Sequence, residues 1–124
     1  MLVPILKEGD YLIASIPSPL NDTELLQLRD ALVERVDRAE AQGVLVDVSR
    51  VDVMDSFAVR TLSSLATMTT LRGAETVVVG IQPEVASAMA QLGLSLQGIE
   101  TALDIPDGAA WLDERARRSI HAGD

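Results

Sequence analysis

The sequence predicts a single α/β domain, an N-terminal β-hairpin followed by a mostly parallel sheet with helices packed on it. Three observations carry this prediction. Short β-branched apolar runs alternate with longer segments whose apolar residues recur every three or four positions, the pattern of strands joined by crossover helices. Two of the runs, Val44-Leu45-Val46-Asp47-Val48 and Val77-Val78-Val79, are almost uninterrupted, as in strands covered on both faces. The 124 residues are 48% hydrophobic but only 2% aromatic, so there is enough for one core, and it must be built from Leu, Val, Ile and Ala.

In chain order, Val3 to Lys7 and Tyr11 to Ile16 read as the hairpin, with Glu8-Gly9-Asp10 as its turn. Pro17 and Pro19 follow, and then Asn21-Asp22-Thr23-Glu24, in which Asn21 caps a helix, Glu24 reaches back from the third position and Leu20 staples onto Leu25. Leu25, Leu28, Leu32, Val36 and Ala39 mark that helix's buried face, and Gly43 is expected to supply its left-handed stop. Val44 to Val48 is a central strand. A second helix runs from Ser56 to Leu71 with Val59, Leu62, Leu65 and Ala66 inward, ended by Gly73. After the strand at Val77 to Val79, Pro83 opens a third helix that turns Val85, Ala86, Met89 and Leu92 toward the core. A short strand at Ile99 to Ala102 and a helix from about Asp107 to Arg118, anchored by Trp111, complete one domain over residues 1–124, with the last few residues a polar tail.

Composition narrows the function. Ten basic and nineteen acidic residues give a net charge of -9, and with so few aromatics the chain lacks the basic groove and stacking platform of nucleic-acid binders. There is no cysteine, hence no disulfide, no thiolate nucleophile and no Cys-built metal site. Neither a secretory signal nor a membrane-length apolar run is present, so a soluble cytoplasmic protein without membrane contact is expected. His121 is the only histidine and lies in the tail, and Lys7 is the only lysine. A Ser-His-Asp triad, a histidine metal site and a P-loop are thereby excluded. Recognition rather than catalysis is expected, with no catalytic residue, metal or cofactor.

The densest polar cluster runs from Asp47 to Phe57, from the end of a central strand to the start of a helix, where sites in open α/β sheets usually lie. Its carboxylates Asp47, Asp52 and Asp55 invite a magnesium-phosphatase or phosphoacceptor-aspartate reading. The first needs two aspartates one residue apart after the strand, where this chain has Asp47 and Ser49; the second needs a lysine after a late strand. Asp55 and Ser56 are each also a favoured N-cap. That structural role is compatible with a phosphoacceptor at Ser56, because a hydroxyl at a helix start lies near the surface, next to orphan amides and the positive dipole end, with Arg60 one turn on. Arg115, Arg117 and Arg118 with His121 form the only basic run and read as a solvated helix end.

The Asp55-Ser56-Phe57 junction, taken with the order of strands and helices, resembles the STAS domains, the family of sulfate-transporter tails and anti-sigma factor antagonists. Val3-Pro4-Ile5-Leu6-Lys7, Val51 to Phe57, Gly80-Ile81-Gln82-Pro83, Leu92-Gly93 and Glu100-Thr101-Ala102-Leu103-Asp104 narrow the resemblance to the small single-domain members found in stressosomes. The specificity lies in the sequence of these stretches rather than in the tripeptide. Almost the whole chain is covered, beginning directly at the first STAS strand, as in the members without a sensor domain.

The resemblance implies a non-enzymatic scaffold that sequesters a serine/threonine switch kinase, self-associates into a large particle with longer, sensor-bearing STAS paralogs, and releases the kinase when Ser56 is phosphorylated. Asp52, Met54, Asp55, Phe57 and Arg60 are the expected partner-binding residues around that serine. The longer paralogs carry a threonine where this chain has Val79, which favours the antagonist over the sensor subunit. Two alternatives stay open, an anti-anti-sigma factor that binds an anti-sigma kinase, and a small-ligand or nucleotide-binding module.

Overall fold

The computed structural model describes the backbone of residues 3–122 and side chains through Arg118; the side chain of His121 and the end of the polar tail lie outside the described residues. Strands β1 (Ile5–Glu8) and β2 (Tyr11–Ser15) form the expected hairpin, tightened to a two-residue turn because Glu8 pairs directly with Tyr11. The chain continues through α1 (Asp22–Ala39), β3 (Gly43–Asp47), α2 (Ser56–Thr70), β4 (Glu75–Val79), α3 (Pro83–Gln91), β5 (Glu100–Ala102) and α4 (Ile105–Ala122). The sheet order is β1-β2-β3-β4-β5, antiparallel only between β1 and β2.

Because the parallel strands follow one another across the sheet and such crossovers share one hand, the three connecting helices fall on the same face. Side-chain alternation along the strands follows from this. Leu12, Ala14, Val44, Val46 and Val78 pack with Leu28, Leu32, Val36, Val59, Leu62, Leu65, Val85 and Met89 in the larger core. Ile13, Leu45, Val77 and Val79 point the other way and are covered by Leu112 of α4. The two uninterrupted apolar runs are thus buried on both faces, as their composition requires.

The start of α1 is the capping box its sequence encodes: Asn21 Oδ1 accepts from Glu24 N at 2.8 Å, and Glu24 Oε1 accepts from Asn21 N at 3.0 Å. Its end departs from expectation. Glu40, not Gly43, takes the left-handed conformation, with φ 50°, and Ala41 N donates back to Val36 O at 3.2 Å. Gly43 belongs to β3 and is needed for space, since a β-carbon there would lie 2.7 Å from Leu112 Cδ1 and 3.1 Å from Tyr11 Cδ1. In α3 only Val85 and Met89 are buried; Ala86 and Leu92 are exposed. The nine-residue helix stops before Leu92 can turn inward, and Leu94 and Leu96 pack against the core instead.

Helix α4 begins two residues earlier than expected because Asp104 Oδ1 accepts from Asp107 N at 2.9 Å, as an N-cap does, and Pro106 is harmless in a first turn. Its anchor is Leu112, 3% exposed, rather than Trp111, which is half-buried with the Arg115 guanidinium 5.3 Å from its ring centre. Arg115 also pairs with Glu75 at 3.0 Å, and Arg117 and Arg118 pair with Glu114, so the basic run is an exposed, paired helix end. Tyr11 donates its hydroxyl to Asp113 beneath α4. Burial, with that carboxylate beside it, pushes the phenol up to about 12.

Candidate functional site

The carboxyl ends of β2, β3 and β4 feed three loops that meet at one end of the sheet, above the amino termini of α1, α2 and α3. The β3–α2 loop, residues 48–55, and the first turns of α2 carry the candidate residues, and the loop is held by hydrogen bonds within itself and to the β4 side of the sheet. Asp47 Oδ1 accepts from Ser49 N at 2.9 Å, Val51 N donates to Val48 O at 2.9 Å, and Val48 N donates to Val79 O at 3.0 Å. From the neighbouring loop, Gln82 Nε2 donates to Ser49 O at 2.9 Å. Gly80 makes that approach possible: its φ is +80°, and a β-carbon on it would sit 3.0 Å from Ser49 Cβ.

Asp55 resolves the capping ambiguity. Its extended backbone (φ -87°, ψ -179°) and the bond from Ala58 N to its Oδ1 at 2.9 Å make it the N-cap of α2. Ser56 is therefore the first helical residue, exposed, with no side-chain hydrogen bond among the described residues. Since Asp55 occupies only the Ala58 amide, the amides of Ser56 and Phe57 have no partner inside the helix and form the positive end of its dipole. The structure thus separates two roles that the residue types alone leave merged: Asp55 holds the helix start, and Ser56 is spare.

The other residues expected to meet a partner are placed unevenly. Asp52, Asp55 and Arg60 are exposed and Phe57 is half-buried. Met54 is 8% exposed and belongs to the larger core, so it supports the loop from below rather than facing outward. The apolar side chain that does face solvent here is Val53, 64% exposed, which sequence reasoning passed over. The spacing of Val51 and Met54 carries the signal: with these two apolar residues turned in, both residues between them, Asp52 and Val53, project outward.

Beneath Val53 lies an apolar hollow of about 70 Å3 between the β2–α1 and β3–α2 loops, walled by Pro19, Leu20, Leu25, Val51, Met54 and Ala58, with Asp55 the only ionisable side chain in its lining. Among the described residues no group of three histidine, aspartate or glutamate side chains is arranged to hold a metal ion, and no helix is long and apolar enough to cross a membrane. Val79 is fully buried under α4.

A five-stranded mixed sheet of this order, with an exposed serine one residue past an aspartate cap at the start of its second helix, defines a domain class. Residues 3–105 match the STAS domain, and the chain belongs to that family. Within it, the chain is similar to a Ser-to-Glu variant of RsbS from Moorella thermoacetica, with 33% identity, a TM-score of 0.78, and 93% of this chain and 97% of that one covered. It is also similar to a chain from the molecular architecture of the stressosome, a signal integration and transduction hub, with 32% identity and a TM-score of 0.73, covering 92% of this chain and 99% of that one. The RsbT co-antagonist protein RsbRA of Bacillus subtilis is 30% identical over 69% of this chain, which spans only 35% of that longer protein.

Proposed function

We propose that this protein is a non-enzymatic scaffold subunit of a stressosome-like particle. It captures a serine/threonine switch kinase at the β3–α2 end of the sheet and releases it when Ser56 is phosphorylated. The observation that carries the reading is the state of Ser56: an exposed hydroxyl at the first position of α2, spared from capping by Asp55. The likeness to RsbS and to a stressosome chain supports it, as does the likeness to RsbRA, an RsbT co-antagonist, which makes a longer STAS paralog the natural assembly partner. The chemistry is one of charge. A phosphate adds roughly -1.5 to -2 at pH 7 beside Asp52 and Asp55, is held by the open helix amides, and leaves the capped helix in place. A partner surface complementary to the neutral hydroxyl then meets a bulky dianion.

The test is incubation with the cognate switch kinase and ATP followed by phosphopeptide mapping. Label on Ser56 is expected, with Ser56→Ala retaining the kinase and Ser56→Asp binding it weakly. Label confined to another residue would contradict the reading. The anti-anti-sigma and small-ligand alternatives share the fold, and nothing at the site favours either over kinase capture.

A further inference from the structure

We infer that the apolar hollow beneath Val53 is the anchor socket for the captured kinase, and that it takes one aliphatic side chain flanked by basic residues. The inference rests on the functional reading above and adds where the affinity comes from. A serine hydroxyl contributes little binding energy of its own, so a release switch at Ser56 needs a separate anchor close enough to be levered off when the charge changes. The hollow is that close: Asp55 and Ala58, immediately before and two residues after Ser56, are both part of its wall. Its volume of about 70 Å3 suits the branched tip of a leucine or the end of a methionine, and all the rest of its lining is apolar.

Charge selects the occupant's neighbours. Asp55 is in the lining, and the exposed Asp52 stands between the lining residues Val51 and Val53. Arg50 and Arg60 are exposed in the same stretch, but neither lines the hollow. A second copy of this chain, at net charge -9, would bring acid to acid, whereas a basic partner surface gains at Asp52 and Asp55.

The experiment titrates the switch kinase onto the unphosphorylated full chain and two variants. Ala58→Leu fills the socket from inside, and Val53→Ser removes apolar surface from its lip without touching the core. Excluding a buried aliphatic side chain should weaken binding roughly ten- to a hundredfold for Ala58→Leu, and stripping the lip about threefold for Val53→Ser. Raising the salt concentration should weaken the wild-type complex. If both variants bind like wild type while Ser56→Asp does not, the socket is wrong and the switch stands; if the wild type binds no kinase, both fall. Salt-independent binding overturns the basic flank. A variant that alters the protein's own sedimentation but not kinase binding assigns the hollow to a second copy and overturns the proposal. Should Ala58→Leu not fold, Val53→Ser decides alone, because its side chain is 64% exposed.

Discussion

On one face of the sheet a single helix, α4, is pressed down until two glycines have no room for a β-carbon. On the other, three helices share a larger core that stays open at one corner. Under α4 a β-carbon on Gly108 would come within 2.6 Å of Leu45 Cδ2 and 2.9 Å of Val79 Cγ1, and Leu112 completes the seal. At the open corner Val53 is exposed, Ser56 is unbonded and a hollow is left between two loops. The difference separates two kinds of constraint. Close packing makes the α4 face costly to alter, so it stabilises the domain. The corner is held by loop hydrogen bonds and a cap, so its outer side chains can change, or be modified, at little cost to the fold.

The comparison breaks if the two regions respond alike to substitution, and the largest effect belongs to the sealed face. Leu112→Ala should cost about 2–5 kcal/mol in denaturant unfolding, because truncating the buried α4 side chain of the smaller core would leave a cavity. Gly108→Leu should also destabilise, the overpacking cost of about 1–3 kcal/mol exceeding a helix-propensity gain of at most about 1 kcal/mol. Asp55→Ala at the open corner should cost about 1 kcal/mol by removing the cap of α2, and its unfolding midpoint should stay above that of Leu112→Ala. A further effect appears only at alkaline pH. With the Tyr11 phenol raised to about 12 in the fold and near 10 when unfolded, the unfolded chain loses its proton first. Tyr11 therefore stabilises fully below pH 10, and its contribution disappears as the pH rises through 12. Unfolding midpoints measured between pH 9 and 12 should fall for wild type and fall less for Tyr11→Phe.

Legibility in the sequence follows the range of the interactions. The Asn21–Glu24 capping box and the inward positions of α2 depend on neighbours within one turn, and both are present as read. The role of Gly43 is not legible locally, because a glycine signals either a left-handed turn or a close approach, and the approach is set by Leu112, far along the chain. Helix α4 shows the same limit: periodicity marks Trp111 and Leu112 as apolar neighbours, but only the sheet beneath determines which is sealed. At the candidate site the serine and its flanking carboxylates were legible as residue types. The division of labour between Asp55 and Ser56, the burial of Met54 and the hollow under Val53 required the loops of two different crossovers to be brought together.

The switch itself is tested most directly by measuring kinase affinity and thermal unfolding on the same samples of unphosphorylated protein, protein phosphorylated by the kinase, and Ser56→Ala. Phosphorylation should weaken kinase binding at least about a hundredfold, a change of about 2.7 kcal/mol, while unfolding shifts by no more than about 0.5 kcal/mol. Ser56→Ala should bind as tightly as unphosphorylated wild type after the same kinase treatment. Equal release of the kinase by Ser56→Ala and wild type, or a phosphorylated protein that lets go only because it has unfolded, would contradict a local switch at Ser56.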